Sequence, residues 1–153
     1  MKAHQVQGFL VPQTDAFMGE YIPKSAERLA WISGFTGSAG MAVILVDKAV
    51  AFTDNRYAIQ IMQEVDGGLY DYADMVQTRV HAWIKENGDD RDIIAYDPWL
   101  HTHAQIKNLE DNDVSLKAVE TNLIDNVWID QPRVPSEPVF SFSDETAGRT
   151  AGD

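Results

Sequence analysis

Residues 31–57 read WISGFTGSAGMAVILVDKAVAFTDNRY and are expected to form the centre of a β-sheet. Its two apolar runs, MAVILV and AVAFT, are separated only by Asp47 and Lys48. A break of two residues is the shortest that joins antiparallel strands in a hairpin. A glycine-rich loop at residues 34–40 precedes the first run. Aspartate at a strand end is a common helix N-cap, so a helix is expected to begin at Asp54.

Strands and helices alternate through the rest of the chain. Short runs of apolar and β-branched residues predict strands, and apolar residues three and four apart predict helices. Beside the hairpin, the predicted strands are residues 8–12, 69–75, 93–96, 114–119 and 139–142, and the predicted helices are residues 1–7 (final turns only), 26–32, 56–65, 80–87, 102–109 and 123–128. This order predicts an α/β fold with a mixed β-sheet flanked by helices, because the hairpin adds an antiparallel pair to strands joined through helices.

Length and proline content predict one domain followed by a connector. A chain of 153 residues corresponds to a single domain. Three of the six prolines lie within seven residues, at Pro132, Pro135 and Pro138, and proline-dense segments are typical of linkers. Residues 1–129 are therefore predicted to form the domain, and residues 130–153 to begin as a linker.

The charge of the chain argues against nucleic acid as a partner. The chain has 24 acidic and 12 basic residues, and the resulting net charge of −12 repels phosphate backbones, with no local basic patch to offset it. No apolar run approaches the roughly 18 residues of a membrane span, and residues 1–7 lack the apolar stretch of a signal peptide. Cysteine is absent, which is compatible with the cytoplasm. The sequence thus predicts a cytoplasmic protein that binds neither nucleic acid nor membranes.

The glycine loop does not fit a phosphate-binding site. Gly34, Gly37 and Gly40 let the backbone take unusual conformations and approach its neighbours closely. In phosphate loops a strand leads through the loop into a helix, whose positive N-terminal end faces the anion. Here a helix end feeds the loop and a strand leaves it, so the dipole has the wrong orientation. A structural turn is the better interpretation.

No catalytic or metal-binding cluster follows from residue spacing. His101 and His103 could approach one metal ion, but no third ligand stands at a recognised spacing, and we interpret them as solvated loop histidines. No nucleophile-elbow motif suggests a Ser-His-Asp triad. The four tryptophans are too far apart to predict a stacking platform and are expected in the core or at its rim. They are Trp31, Trp83, Trp99 and Trp128.

Arg56 is the one residue whose position invites a functional interpretation. It falls in the first turn of the helix expected after Thr53 and Asp54, where the helix dipole disfavours a cation. A residue placed against its local preference often serves a site. The alternative is structural: Thr53 or Asp54 caps the helix, and Arg56 pairs with Asp54 or another surface acid.

A further set of motifs runs along nearly the whole chain. They are residues 9–12 with Asp15, residues 19–23, 28–40 and 53–57, Asp97-Pro98, and residues 122–125 with Trp128, Asp130, Pro132 and Pro135. In order and spacing these motifs resemble the N-terminal domain of aminopeptidase P, the Xaa-Pro aminopeptidase family, which shares this domain type with creatinase and prolidase. The resemblance implies an RNase H-like α/β fold for residues 1–129.

The resemblance also implies an activity that this chain does not carry by itself. In that family a C-terminal domain binds two divalent metal ions, usually manganese, and hydrolyses the bond between an N-terminal residue and a following proline. None of those metal ligands lies in this chain, so no cofactor is expected within it. The implied partners are a peptide substrate with proline at its second position and a second copy in a homodimer. The domain would contribute substrate contact and entrance or dimer surface, and residues 130–153 would include the start of a second, truncated domain.

One residue role transfers with the resemblance. The family motif Asp-Gly-Arg-Tyr matches residues 54–57, and its arginine binds substrate, which implies that role for Arg56. Asn55 stands where the family has glycine. Asparagine tolerates positive φ better than most residues, so residues 54–57 are expected to keep the conformation of the family motif. Two alternatives stay open. One is a free-standing binding module without a peptidase domain; the other, by fold analogy alone, is a nucleic-acid enzyme, which would need clustered carboxylates for Mg²⁺.

Overall fold

A six-stranded β-sheet forms the centre of the computed structural model, which describes residues 1–150 and residue 152. The strands are β1 (Gly8–Pro12), β2 (Gly40–Leu45), β3 (Ala49–Thr53), β4 (Asp71–Asp74), β5 (Ile93–Tyr96) and β6 (Ser115–Ala118), in the spatial order β4-β3-β2-β1-β5-β6. Strand β2 is antiparallel to β1 and β3, whereas the pairs β1–β5, β3–β4 and β5–β6 are parallel. The predicted mixed sheet and its central hairpin are confirmed, but the two central residues of the turn are Val46 and Asp47 and not Asp47 and Lys48, because Leu45 N donates to Lys48 O at 2.8 Å.

Helices cover both faces of the sheet. They are α1 (Arg28–Ser33), α2 (Ala58–Glu64), α3 (Val80–Asn87), α4 (His103–Glu110) and α5 (Asp144–Ala147), with 3-10 turns at Lys2–His4, Lys24–Ala26, Asn55–Tyr57 and Pro98–Leu100. Successive residues of a strand point to opposite faces. Phe9 and Val11 of β1 therefore share one core with α1 and α2, while Leu10 shares the other core with α3 and α4.

The chain after β6 folds back onto α1 without forming the predicted helix at residues 123–128. Asn122 Oδ1 accepts the backbone N–H of Ile124 at 3.0 Å, and Trp128 N donates to Ile124 O at 2.9 Å, so the segment is a series of turns. Its closing residue, Trp128, stacks on Trp31 with ring centroids 5.4 Å apart. Sequence spacing did not predict this contact, because the fold joins residues that are distant in sequence. The expectation of core or rim packing is wrong for Trp99, which is 73% exposed.

Both ends of the chain differ from the sequence-based expectation. The helix turns expected at residues 1–7 are reduced to the 3-10 turn Lys2–His4. Residues 132–150 are exposed. Residues 139–142 have no neighbouring strand to pair with, so the strand predicted there is wrong. The predicted linker and second domain at residues 130–153 stay predictions, and Ala151 and Asp153 lie outside the described residues. Within the described residues, no helix has the length and apolar character needed to cross a membrane.

Candidate functional site

Several polar side chains meet at the edge of the sheet where the parallel strands end. Gln13 follows β1, Asp54 follows β3 and Asp97 follows β5. Because β2 runs in the opposite direction, Ser38 and Met41 reach the same edge from its beginning. We call this side of the sheet the carboxyl edge. In open α/β sheets, ligands bind in the crevice outside the carboxyl ends of the strands.

Arg56 is held at the carboxyl edge by Asp54. The Asp54 carboxylate caps the 3-10 turn by accepting the backbone N–H of Arg56 at 3.0 Å. It also accepts from the guanidinium, with Nε at 3.0 Å from Oδ1 and Nη2 at 2.7 Å from Oδ2. These side-chain hydrogen bonds lower the pKa of Asp54 and raise that of Arg56. The pairing predicted as the structural alternative is therefore present.

The pairing still leaves Arg56 available to a ligand. The Arg56 side chain remains 60% exposed. Its guanidinium carbon lies 5.3 Å from the centre of the Tyr57 ring, so one face of the cation rests against an aromatic ring. A two-point carboxylate contact fixes the direction of a planar guanidinium without using all of its five N–H donors. Asn55 has no positive φ, so this corner does not need the glycine of the family motif.

The glycine loop is wrapped around the buried ring of Phe35. Gly34 has φ of +84° and ends α1, with its N–H donating to Ala30 O at 2.8 Å. Gly37 and Gly40 do not take positive φ, and a Cβ at either position would collide with the Phe35 ring. The three glycines thus serve a helix end and two close approaches, which confirms the interpretation as a structural turn.

The glycine loop is joined by hydrogen bonds to residues 54–57, which we call the Arg56 corner. Ser38 Oγ and Tyr57 Oη lie 2.8 Å apart, and Thr53 Oγ1 donates to Ala39 O at 2.6 Å. The Tyr57 ring meets the Phe35 ring edge to face at 5.8 Å. Thr53 therefore does not cap the helix; its hydroxyl ties β3 to the loop. Together these contacts give the Arg56 corner a rigid base.

A cavity of about 500 Å³ opens at the carboxyl edge beside Arg56. Its lining combines polar side chains with three methionines and comes from β1 and the loop after it, the glycine loop, β2, and the turns and helix starts at this edge. It includes Gln13, Glu20, Ser38, Met41, Arg56, Met75 and Gln105. This volume lies within the range of small-molecule and peptide-side-chain pockets in proteins.

His101 is buried and not solvated as the sequence suggested. Only 7% of its surface is exposed. Its Nδ1 lies 2.9 Å from Asp97 O, and its ring packs edge to face on Tyr96 at 5.7 Å. Burial lowers the pKa of His101, and the hydrogen bond to Asp97 opposes this shift. The run Asp97-Pro98 was the available signal, because an aspartate that caps a 3-10 turn folds the next residues back onto the strand end.

The buried His101 is expected to make stability depend on pH. Its pKa is lower when folded than the ordinary value of 6.5, so protonation favours the unfolded chain. The contribution of His101 to the free energy of unfolding should be fully present above pH 6.5 and should be lost as the pH falls below that value. Urea midpoints between about pH 7.5 and pH 5.5 measure this. His101→Asn should flatten the dependence, and equal slopes for both proteins would contradict the assignment.

Other residues of the family motifs tie the returning segment to the sheet. Asn122 Nδ2 donates to Asp97 Oδ2 at 2.9 Å. Arg28 makes a two-point contact with Asp125, Nε to Oδ1 at 2.7 Å and Nη2 to Oδ2 at 2.8 Å. Gln131 Nε2 also donates to Asp125 Oδ1 at 3.0 Å. The contacts of these residues hold the returning segment in place, which accounts for them without a role in binding or catalysis.

The metal ions implied by the resemblance have no ligand set among the described residues. No group of three or more histidine, cysteine, aspartate or glutamate side chains comes together in residues 1–150 and 152. His101 presents a buried neutral ring, while His103 is exposed on α4. The donor set present here does not fit a divalent metal centre, so no reaction step is assigned to one in this chain.

Comparison with known proteins gives a consistent family. The family model of the Creatinase/Prolidase N-terminal domain matches residues 1–127. Xaa-Pro aminopeptidase 2 of Rattus norvegicus is 37% identical over 155 residues, which cover 98% of this chain and 23% of that protein. The X-prolyl aminopeptidase of Caenorhabditis elegans, described as a cytosolic enzyme with a di-nuclear active site, matches with a TM-score of 0.83 at 29% identity, over 95% of this chain and 25% of that one.

A separately solved domain shows the same fold. The creatinase/prolidase-like N-terminal domain of a Corynebacterium diphtheriae protein matches with a TM-score of 0.56 at 22% identity, over 77% of this chain and 86% of that one. The chain therefore spans about a quarter of the rat and nematode aminopeptidases and most of an isolated N-terminal domain. The resemblance drawn from the motifs is confirmed: the chain belongs to the creatinase/prolidase N-terminal domain family, in the form found in Xaa-Pro aminopeptidases.

Proposed function

We propose that this chain serves a metal-dependent Xaa-Pro aminopeptidase as its N-terminal domain and that Arg56 contacts the peptide substrate there. The substrate is a peptide with proline at its second position, and two divalent metal ions, manganese in this proposal, act in another part of the enzyme. The observation that carries the proposal is the placement of Arg56: a guanidinium fixed by Asp54, exposed, and lining the cavity at the carboxyl edge.

The chemistry of Arg56 suits recognition and not bond cleavage. A guanidinium stays protonated at any physiological pH, so it neither gives nor takes a proton in the reaction. It can donate to a carbonyl oxygen or a carboxylate of the peptide with a fixed geometry. Asp54 acts as a positioning residue, because its two oxygens set the plane in which Arg56 presents its remaining donors.

Two further parts of the proposal concern the whole protein. The nematode relative is described as cytosolic, which supports a cytoplasmic enzyme here. The proposed oligomer is a homodimer, with this domain contributing entrance or dimer surface. The exposed apolar side chains at the loop after β1, Phe17 and Tyr21, each 90% exposed, offer such a surface.

Replacing Arg56 tests the substrate contact. In the full-length enzyme, Arg56→Ala should lower kcat/KM for an Xaa-Pro tripeptide by roughly tenfold to hundredfold, as expected for the loss of a charged hydrogen bond. The melting temperature should stay the same, because the side chain is exposed. Arg91→Ala is the matched control, since Arg91 is 93% exposed and pairs loosely with Asp89 at 3.5 Å. An Arg56→Ala enzyme with normal kcat/KM would refute the contact.

A further inference from the structure

The cavity beside Arg56 continues into a second one at the carboxyl edge. The second cavity has a volume of about 500 Å³ and lies against α3 and α4, with Arg79, Val80, His101 and Leu109 among its lining residues. Met41, Met75 and Gln105 line both cavities, so the two form one groove. We call the two cavities together the distal groove. Its middle is formed by the two methionines, whose flexible thioethers adapt to varied apolar groups.

Two buried hydrogen-bond acceptors without a protein partner lie along the distal groove. Among the described residues, Gln13 Oε1 and His101 Nε2 are the buried side-chain polar atoms that have no partner. Gln13 lines the cavity at Arg56, and His101 lines the second cavity. A buried polar atom without a partner costs free energy, so native folds seldom retain one unless another molecule completes it.

The atom that His101 presents to a ligand follows from its tautomer. Asp97 O is a carbonyl oxygen and can only accept, so His101 Nδ1 carries the hydrogen of this contact. The neutral ring favoured by burial has one hydrogen, which leaves Nε2 as a bare acceptor. Only 7% of the surface of His101 is exposed, the residue lines the groove, and its Nε2 has no partner among the described residues. A ligand at this point must offer an N–H or O–H donor.

Arg79 supplies a cation at the far end of the distal groove. It is the N-cap residue of α3, a position that the helix dipole makes unfavourable for positive charge. Within the described residues it forms no ion pair, although the chain carries a net charge of −12. An unpaired arginine in an acidic chain is suited to a carboxylate that arrives with a ligand.

We propose that the distal groove binds the part of a longer peptide that extends beyond the residues contacted by Arg56. The proposal rests on the substrate contact proposed above. A peptide in extended conformation presents backbone N–H donors at intervals of about 3.3 Å per residue. One such donor bonds to Nε2 of His101, its side chains lie over Met41 and Met75, and its terminal carboxylate pairs with Arg79. The groove then selects peptides longer than three residues.

The test compares peptide lengths in the full-length enzyme. Ala-Pro-Ala and Ala-Pro-Ala-Ala-Ala serve as the short and long substrates. His101→Asn keeps a donor for Asp97 O but has no group at the position of Nε2, whereas His101→Gln places an acceptor there. The long-to-short ratio of kcat/KM should fall roughly fivefold to tenfold in His101→Asn and less in His101→Gln. Equal ratios in wild type and His101→Asn would overturn the proposal.

The carboxylate contact has its own readout, which does not depend on a buried substitution. Amidation of the long peptide should lower kcat/KM for wild type by roughly tenfold and leave Arg79→Gln insensitive to amidation. Arg91→Gln is the control and should respond to amidation as wild type does. If Arg79→Gln retains the amidation effect, the terminal carboxylate does not pair with Arg79 and the proposal is wrong. If Arg56→Ala loses activity while His101→Asn keeps the wild-type long-to-short ratio, the substrate contact of Arg56 holds and only the groove proposal fails.

Discussion

Phe35→Ala is expected to destabilise the fold by about 3–5 kcal/mol, the range for removal of a buried aromatic ring. Phe35 is completely buried, and the glycine loop encloses its ring so tightly that Gly37 and Gly40 have no room for a Cβ. The loop is therefore shaped to the ring and cannot collapse into the space without moving Ser38 and Tyr57. Urea unfolding followed by tryptophan fluorescence measures the change through the midpoint.

The control for this prediction is another phenylalanine. Phe17 is 90% exposed, so Phe17→Ala should change the free energy of unfolding by less than about 0.5 kcal/mol. A loss below about 1 kcal/mol in Phe35→Ala would mean that the loop closes over the vacated space, and that the enclosure of the ring does not fix the Arg56 corner.

Gly34→Ala is expected to cost about 2–4 kcal/mol, because two penalties act together. The φ of +84° is unfavourable for alanine, and the new Cβ would lie 2.7 Å from the backbone oxygen of Glu64. That oxygen belongs to the last residue of α2, whose side chain also accepts from Thr36 N at 2.8 Å. Relief of the collision would therefore shift the helix or the loop. The midpoint of urea unfolding reports the sum of both effects.

Gly148 is a control glycine that has positive φ but lies outside the sheet and its cores. It also has positive φ, +73°, but a Cβ there would meet nothing within 4 Å. Gly148→Ala should therefore affect only the exposed helix α5 and leave the unfolding midpoint of the sheet unchanged. A Gly34→Ala midpoint as close to wild type as that of Gly148→Ala would contradict both penalties, the φ of +84° and the collision with the Glu64 carbonyl.

The parts of the fold that depend on neighbouring residues were predictable. The hairpin follows from two apolar runs with a two-residue break, and β1 from a short apolar run that ends in proline. The Asp54 cap and its contact with Arg56 involve residues two apart, so the sequence shows both the pairing and the exposed cation. The candidate site was predictable to that extent, as one residue at the end of one strand.

The rest of the site depends on contacts across the fold. His101 is buried by Tyr96 and by the turn after Asp97, and apart from the run Asp97-Pro98 nothing in the local sequence distinguishes it from exposed His103. Helical spacing at residues 123–128 was overridden by the Asn122 side chain, which bonds the backbone two residues on and starts a turn. The distal groove joins several separate segments, so only the folded chain shows it.

The antiparallel course of β2 has a practical consequence for tests of the proposed groove. The turn at Val46 and Asp47 lies at the end of the sheet opposite the carboxyl edge, and it is closed by a bond from Leu45 N to Lys48 O at 2.8 Å. Val46 in this turn is 67% exposed. Five strand residues place this turn about 17 Å from Gly40 at the carboxyl edge. A fluorophore or an immobilisation tag inserted at the turn would leave the groove open, so peptide binding could be followed on a surface without labelling the peptide.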